Sequence, residues 1–163
     1  MVAQLISMRT FGIGLFFCVL VGCGGPSLGQ LASDLDELAV PDAWHLVATF
    51  TNGPGGDIEC VPNLDSTTCP QLIRYYVASG SAEDTYAQGE KLLVDSGFTL
   101  APFPGDPCDL SLSGRPTCLM NARAGERRLR LEVFSEPDKV PNVQISERSG
   151  PIVALAAWRE KQN

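Results

Sequence analysis

"IVALAAW", residues 152–158, decides the fold. Seven consecutive apolar residues follow the breaker "SGP" and end at Arg159. A half-exposed strand would alternate with polar residues, and an amphipathic helix would need a longer, 3.6-periodic stretch. The run therefore predicts a central strand covered on both faces. Upstream, "RRLRLEVF" (127–134) does alternate: Arg127, Leu129, Leu131 and Val133 share one face, Arg128, Arg130, Glu132 and Phe134 the other. "RAGE" is a tight turn before it. "CDLSLS" and "TCLMNA", separated by "GRP", read as a hairpin, and "VQISER" as a strand after the loop "EPDKVPN".

Further outward, "SAEDTYAQGEKLLVDSGF" (81–98) is the clearest helix. Ser81 stands three residues before Asp84 as a cap. Glu83 and Asp84 suit the positive end of the helix dipole. Gly97 stops the helix, with Phe98 placed to contact its last turn. "FTLAP" leaves it, "LIRYYV" predicts a strand over 72–78, and "WHLVATF" a half-buried strand with Trp44, Leu46, Ala48 and Phe50 on one side. The expected class is α+β: a mostly antiparallel sheet with one helix packed on a face. One helix is short cover for a sheet, so the segment before Trp44 or the disulfide loops are candidates for the rest.

The chain has 163 residues and a formal charge of −7, unevenly spread. Residues 23–110 hold 13 acids and 2 bases, and residues 111–163 hold 6 acids and 9 bases. Two oppositely charged surfaces whose fields partly cancel are the simpler reading, and a dipole that steers a partner the sharper one. The acidic balance argues against nucleic acid as a partner. No cofactor is implied, since neither a P-loop nor a dinucleotide fingerprint occurs.

The beginning of the chain is an address. Arg9 precedes "TFGIGLFFCVLVG", an apolar stretch shorter than the roughly 20 residues of a spanning helix. Met8 is an alternative start to Met1. The stretch ends on Leu20-Val21-Gly22-Cys23, and these four residues resemble the lipobox of bacterial lipoprotein precursors. The resemblance implies cleavage between Gly22 and Cys23, and transfer of diacylglyceryl to the Cys23 thiol. It further implies membrane lipid as the partner of acylated Cys23, and a place in the bacterial cell envelope on the outer side of a membrane. One acyl chain anchors only marginally, and two or three hold stably. Residues 1–22 are then signal peptide, 23–43 a lipidated tether, and 44–163 a small α+β extracytoplasmic domain. "LASDLDELAV" in the tether predicts a short acidic helical turn before Pro41.

Four cysteines follow Cys23: Cys60, Cys69, Cys108 and Cys118. An even number in an exported chain predicts two disulfides. Three pairings are possible. Cys60–Cys69 with Cys108–Cys118 is favoured because each pair flanks a turn-rich loop. The spacings are not C-x-x-C and no histidine lies nearby, which argues against zinc and redox chemistry.

Catalytic signals are thin. His45 is the single histidine, and no G-x-S-x-G elbow supplies a serine for it. Asp57, Glu59 and Asp65 share a Gly/Pro-rich loop without calcium-loop spacing. Arg127, Arg128 and Arg130, with Arg123, form a basic cluster. It guards a strand edge or contacts an anionic headgroup or acidic partner. Tyr75, Tyr76 and Trp158 belong to the core or to a binding surface. The expectation is a binding or accessory module, not an enzyme, whose partner is membrane lipid and an envelope protein. The alternatives are a hydrolase using surface carboxylates and an unanchored secreted binding protein.

Overall fold

The apolar run becomes the third strand of a six-stranded sheet. The computed structural model describes residues 27–52, 70–102, 105–108, 116–136, 140 and 150–160. Residues 1–26, with Gly22 and Cys23, lie outside the described residues, as do Cys60, Cys69, the acids of the 53–69 loop, "VQISER" and most of "CDLSLS". Strand β6 (Ile152–Arg159) runs antiparallel between β2 (Gln71–Val77) and β5 (Arg127–Phe134). All of it but Arg159 is buried, so both its faces are covered, as the sequence predicts. With β1 (His45–Asn52), β3 (Thr99–Leu100) and β4 (Cys118–Ala124), the strand order is β1-β2-β6-β5-β4-β3, antiparallel throughout. A two-residue turn joins β4 to β5, and Gly125 supplies its positive φ of 60°.

Helix α2 (Ala82–Asp95) has the ends that its sequence encodes. The Ser81 hydroxyl accepts a hydrogen bond from the Asp84 backbone N–H at 3.0 Å. At the other end Gly97 has φ of 81°. The Phe98 N–H donates to the Leu93 carbonyl at 2.9 Å and the Gly97 N–H to that of Val94 at 3.0 Å. This double closure is the Schellman arrangement, and Phe98 is buried behind it. Gly89 lets the helix press onto β5, because a Cβ there would stand 2.2 Å from Leu131 Cδ1.

A second helix corrects the expectation of one. Helix α1 (Leu28–Asp36) lies within the segment read as a tether. Its capping box is complete: the Ser27 hydroxyl accepts from the Gln30 N–H at 3.2 Å, and the Gln30 side chain accepts from the Ser27 N–H at 3.0 Å. Leu31, Leu35 and Leu38 are buried in the same cluster as Leu92, Leu93, Leu131 and Leu155. Helix α1 packs on β2 and β6, and α2 on β3, β4 and β5, so the two helices share one face of the sheet. The packed unit therefore includes α1 and does not begin at Trp44.

Two further expectations change. Strand β1 is an edge strand on which Leu46, Val47 and Phe50 are exposed. A register shift puts Leu46 opposite Tyr76 but Ala48 opposite Tyr75, and this bulge ends the simple alternation expected of "WHLVATF". The disulfide Cys108–Cys118 is present, with Cys118 buried at the start of β4. Cys108 lies in a turn, not on the strand expected from "CDLSLS". Closing this loop contributes about 2.5–3 kcal/mol on the chain-entropy account. The second expected bridge, Cys60–Cys69, falls outside the described residues.

The uneven charge of the sequence is answered inside the fold. Asp34 of α1 is buried and accepts two hydrogen bonds from Arg159, at 2.9 Å from Nε and 2.7 Å from Nη2. Those bonds raise the Arg159 pKa further. Asp36 pairs with Arg74 at 2.7 Å, and Glu37 with Arg127 at 2.8 Å. Acids from the first half of the chain thus neutralise arginines on the sheet. Arg159→Ala is expected to cost about 3 kcal/mol, because it leaves a buried carboxylate without its bidentate partner. The double variant Asp34→Leu with Arg159→Leu is expected to cost less than that single change. Urea unfolding of both proteins measures the difference.

Candidate functional site

The pleat of β5 divides the arginine cluster. Arg127 points to the helix face, where its guanidinium lies 5.0 Å from the Phe98 ring centroid and binds Glu37. Arg128 and Arg130 point to the opposite face. Arg123 joins them there, directly across from Arg128 on β4. Because β5 is the fourth strand of the sheet, these residues do not guard an edge.

On that opposite face the side chains engage one another. Arg128 Nε donates to Glu160 at 2.9 Å, and its Nη1 to the Gly125 carbonyl at 2.6 Å. Arg130 Nε donates to Asn121 at 3.0 Å, and its guanidinium stands 5.8 Å from the Trp158 ring. Trp158 Nε1 donates to the second Glu160 oxygen at 3.1 Å. Arg123 is exposed and has no ion pair among the described residues. Among the described residues, the face thus offers one unpaired guanidinium beside two that are already oriented by carboxylate, amide and indole. This arrangement suits an anionic or carboxylate-bearing partner that pairs with Arg123 beside the two oriented guanidinium groups.

Towards the sheet centre the same face becomes apolar. Tyr75, Phe134, Val140, Ile152 and Ala154 form a separate buried cluster. Tyr76, the next residue of β2, lies on the helix face with its ring 6.2 Å from that of Trp44. The two tyrosines and Trp158 are core residues and do not share a surface. His45 is exposed at the start of β1.

Glu132 sits between the arginines and this cluster. Burial raises its pKa, and Arg130, 3.9 Å away, opposes the rise only in part. Burial also raises the pKa of Tyr75, with the Glu132 charge adding to it. A carboxyl with a raised folded pKa binds its proton more tightly in the folded state. Its contribution therefore falls as pH rises from the ordinary glutamate value through the folded one. Glu132→Gln is expected to stabilise by up to about 1 kcal/mol at neutral pH. The gain should vanish below about pH 4, where the wild-type group is protonated in both states. Thermal melts of both proteins across pH 3–8 measure this.

A shallow cleft of about 240 Å³ lies between the chain after α1 and helix α2, lined by Ala39, Pro41, Gln88, Lys91, Leu92 and Asp95. Its one carboxylate, Asp95, is paired with Lys91 one helical turn away. The cleft is smaller than the roughly 300–1,000 Å³ of small-molecule sites. Among the described residues no three His, Cys, Asp or Glu side chains gather as metal ligands. No helix of the described residues is long and apolar enough to cross a membrane.

No relative emerges. No protein-family model, no curated protein and no solved structure matches the chain. Among the described residues the arginine face is the feature carried forward to function, and in the sequence it is Cys23 at the end of Leu20-Val21-Gly22-Cys23. Sequence reasoning missed Asn121 and Glu160 as partners of the arginines, because isolated polar residues carry no periodic signal.

Proposed function

We propose that this chain is the precursor of a lipid-anchored extracytoplasmic lipoprotein of the bacterial cell envelope. The observation that carries the reading is Leu20-Val21-Gly22-Cys23, placed after Arg9 and an apolar stretch. Signal peptidase cleaves before Cys23, and the acylated cysteine becomes the first residue of the mature protein. The bridge Cys108–Cys118 supports an oxidising compartment, which export reaches. The folded domain serves as a binding or accessory module. Arg123, Arg128 and Arg130 on one sheet face are the contact residues for an envelope partner that carries carboxylates or phosphates.

Expression in a bacterial host followed by intact mass measurement tests the anchor. The expected product lacks residues 1–22 and carries two or three acyl chains. Cys23→Ala should lose both the cleavage and the added mass, and the protein should no longer incorporate labelled palmitate. A product that begins elsewhere, or that carries no acyl mass, refutes the reading.

A further inference from the structure

Between Cys23 and the cap of α1 stand three residues, Gly24, Gly25 and Pro26. We infer that the acylated protein seats its folded domain directly against the bilayer, with the first turn of α1 towards the lipid. This rests on the lipid-anchor reading and adds a surface and a partner to it. Ser27 is already committed to the fold by its two hydrogen bonds with Gln30. Four virtual bonds link its Cα to that of Cys23, and they reach at most about 14 Å. A free stalk as far as Trp44 would reach about 70 Å. The domain has no such stalk. Leu31 and Leu35 are buried to within 1% exposure, and Asp34 is bound to Arg159, so α1 cannot peel away without losing core.

The end of the domain that this short link holds at the membrane is suited to it. Leu28 is 44% exposed and offers an apolar contact. The first turn of α1 carries no acidic residue, although the chain has a net charge of −7. The acids of this helix come later, and Asp34, Asp36 and Glu37 are bound to Arg159, Arg74 and Arg127. Anionic headgroups therefore meet an uncharged turn, and the repulsion expected from the whole-chain charge is muted there.

Brominated phospholipids quench indole fluorescence by contact. Leu28→Trp adds a reporter at the proposed surface, while the native Trp44 and Trp158 are buried and provide the background. The processed, acylated variant in vesicles of phosphatidylcholine and phosphatidylglycerol with brominated chains is expected to lose at least half of the added fluorescence. Inserting twenty Gly/Ser residues between Pro26 and Ser27 is expected to restore at least twofold, since such a linker spans roughly 25 Å on average. If acyl mass is present on Cys23 and the added fluorescence is equal with and without bromine, the seating is wrong and the anchor stands. If acyl mass is absent, the anchor reading falls and the seating with it.

Discussion

A protein that begins at Trp44 is expected to have no cooperative unfolding transition, whereas one that begins at Ser27 keeps it. Removing residues 27–43 exposes the patch of β2 and β6 that α1 covers, and deletes Leu31, Leu35 and Leu38 from the main core. Each fully buried leucine contributes about 1.5–3 kcal/mol. The loss is then on the order of 5–9 kcal/mol, comparable with the total stability of a small domain. Arg74, Arg127 and Arg159 also lose the carboxylates of Asp36, Glu37 and Asp34. Circular dichroism and dye binding of the shorter protein should show a loosely packed or aggregating state. A sharp melt within a few degrees of the longer protein would show that α1 is dispensable.

Leu155→Ala is expected to cost about 3–4 kcal/mol, the largest effect of a single core truncation here. Leu155 is fully buried at the centre of the sheet, opposite Arg74 on β2 and Leu131 on β5. It faces the main core with Leu31, Leu92 and Leu93. Of its neighbours in β6, Ala154 and Ala156 face the other side of the sheet, and on its own face Ala157 carries only a methyl group beside the stiff, β-branched Val153. The cavity therefore stays open and adds to the lost transfer energy. Leu46→Ala on the edge strand is the control. That side chain is 55% exposed, and its truncation is expected to cost no more than about 0.5 kcal/mol. Urea midpoints of the two variants compare them at unchanged slope. A cost below about 1 kcal/mol for Leu155→Ala would mean that the core packs elsewhere.

Particular residues show why some of this was legible beforehand. The alternation of "RRLRLEVF" assigns each side chain to a face, and the structure keeps every assignment. Ser81 and Gly97 mark the ends of α2 by chemistry that acts within five residues, so distant contacts do not alter it. The pairing of Cys108 with Cys118 follows from a short loop between them. Helix α1 was harder. Its signal, a serine three residues before Gln30 and leucines at 28, 31, 35 and 38, is present. The flexible "GGPSLGQ" before it and the few residues that could pack make the segment read as a tether with only a short helical turn. The arginines that neutralise its acids come from β2, β5 and β6.

By itself the sequence determined the elements whose causes are local: the doubly covered strand β6, the two-faced strand β5, and the capped helix α2. The lipobox reading likewise rests on neighbouring residues alone. Tertiary structure decided the rest. It brought α1 into the core, placed β1 at an edge and moved the arginines away from one, and tied acidic and basic halves of the chain together. The physical reason is range. Periodicity and capping act over one or two turns of chain. Burial and ion pairing depend on which segments meet, and for Asp34 and Arg159 those segments are 125 residues apart.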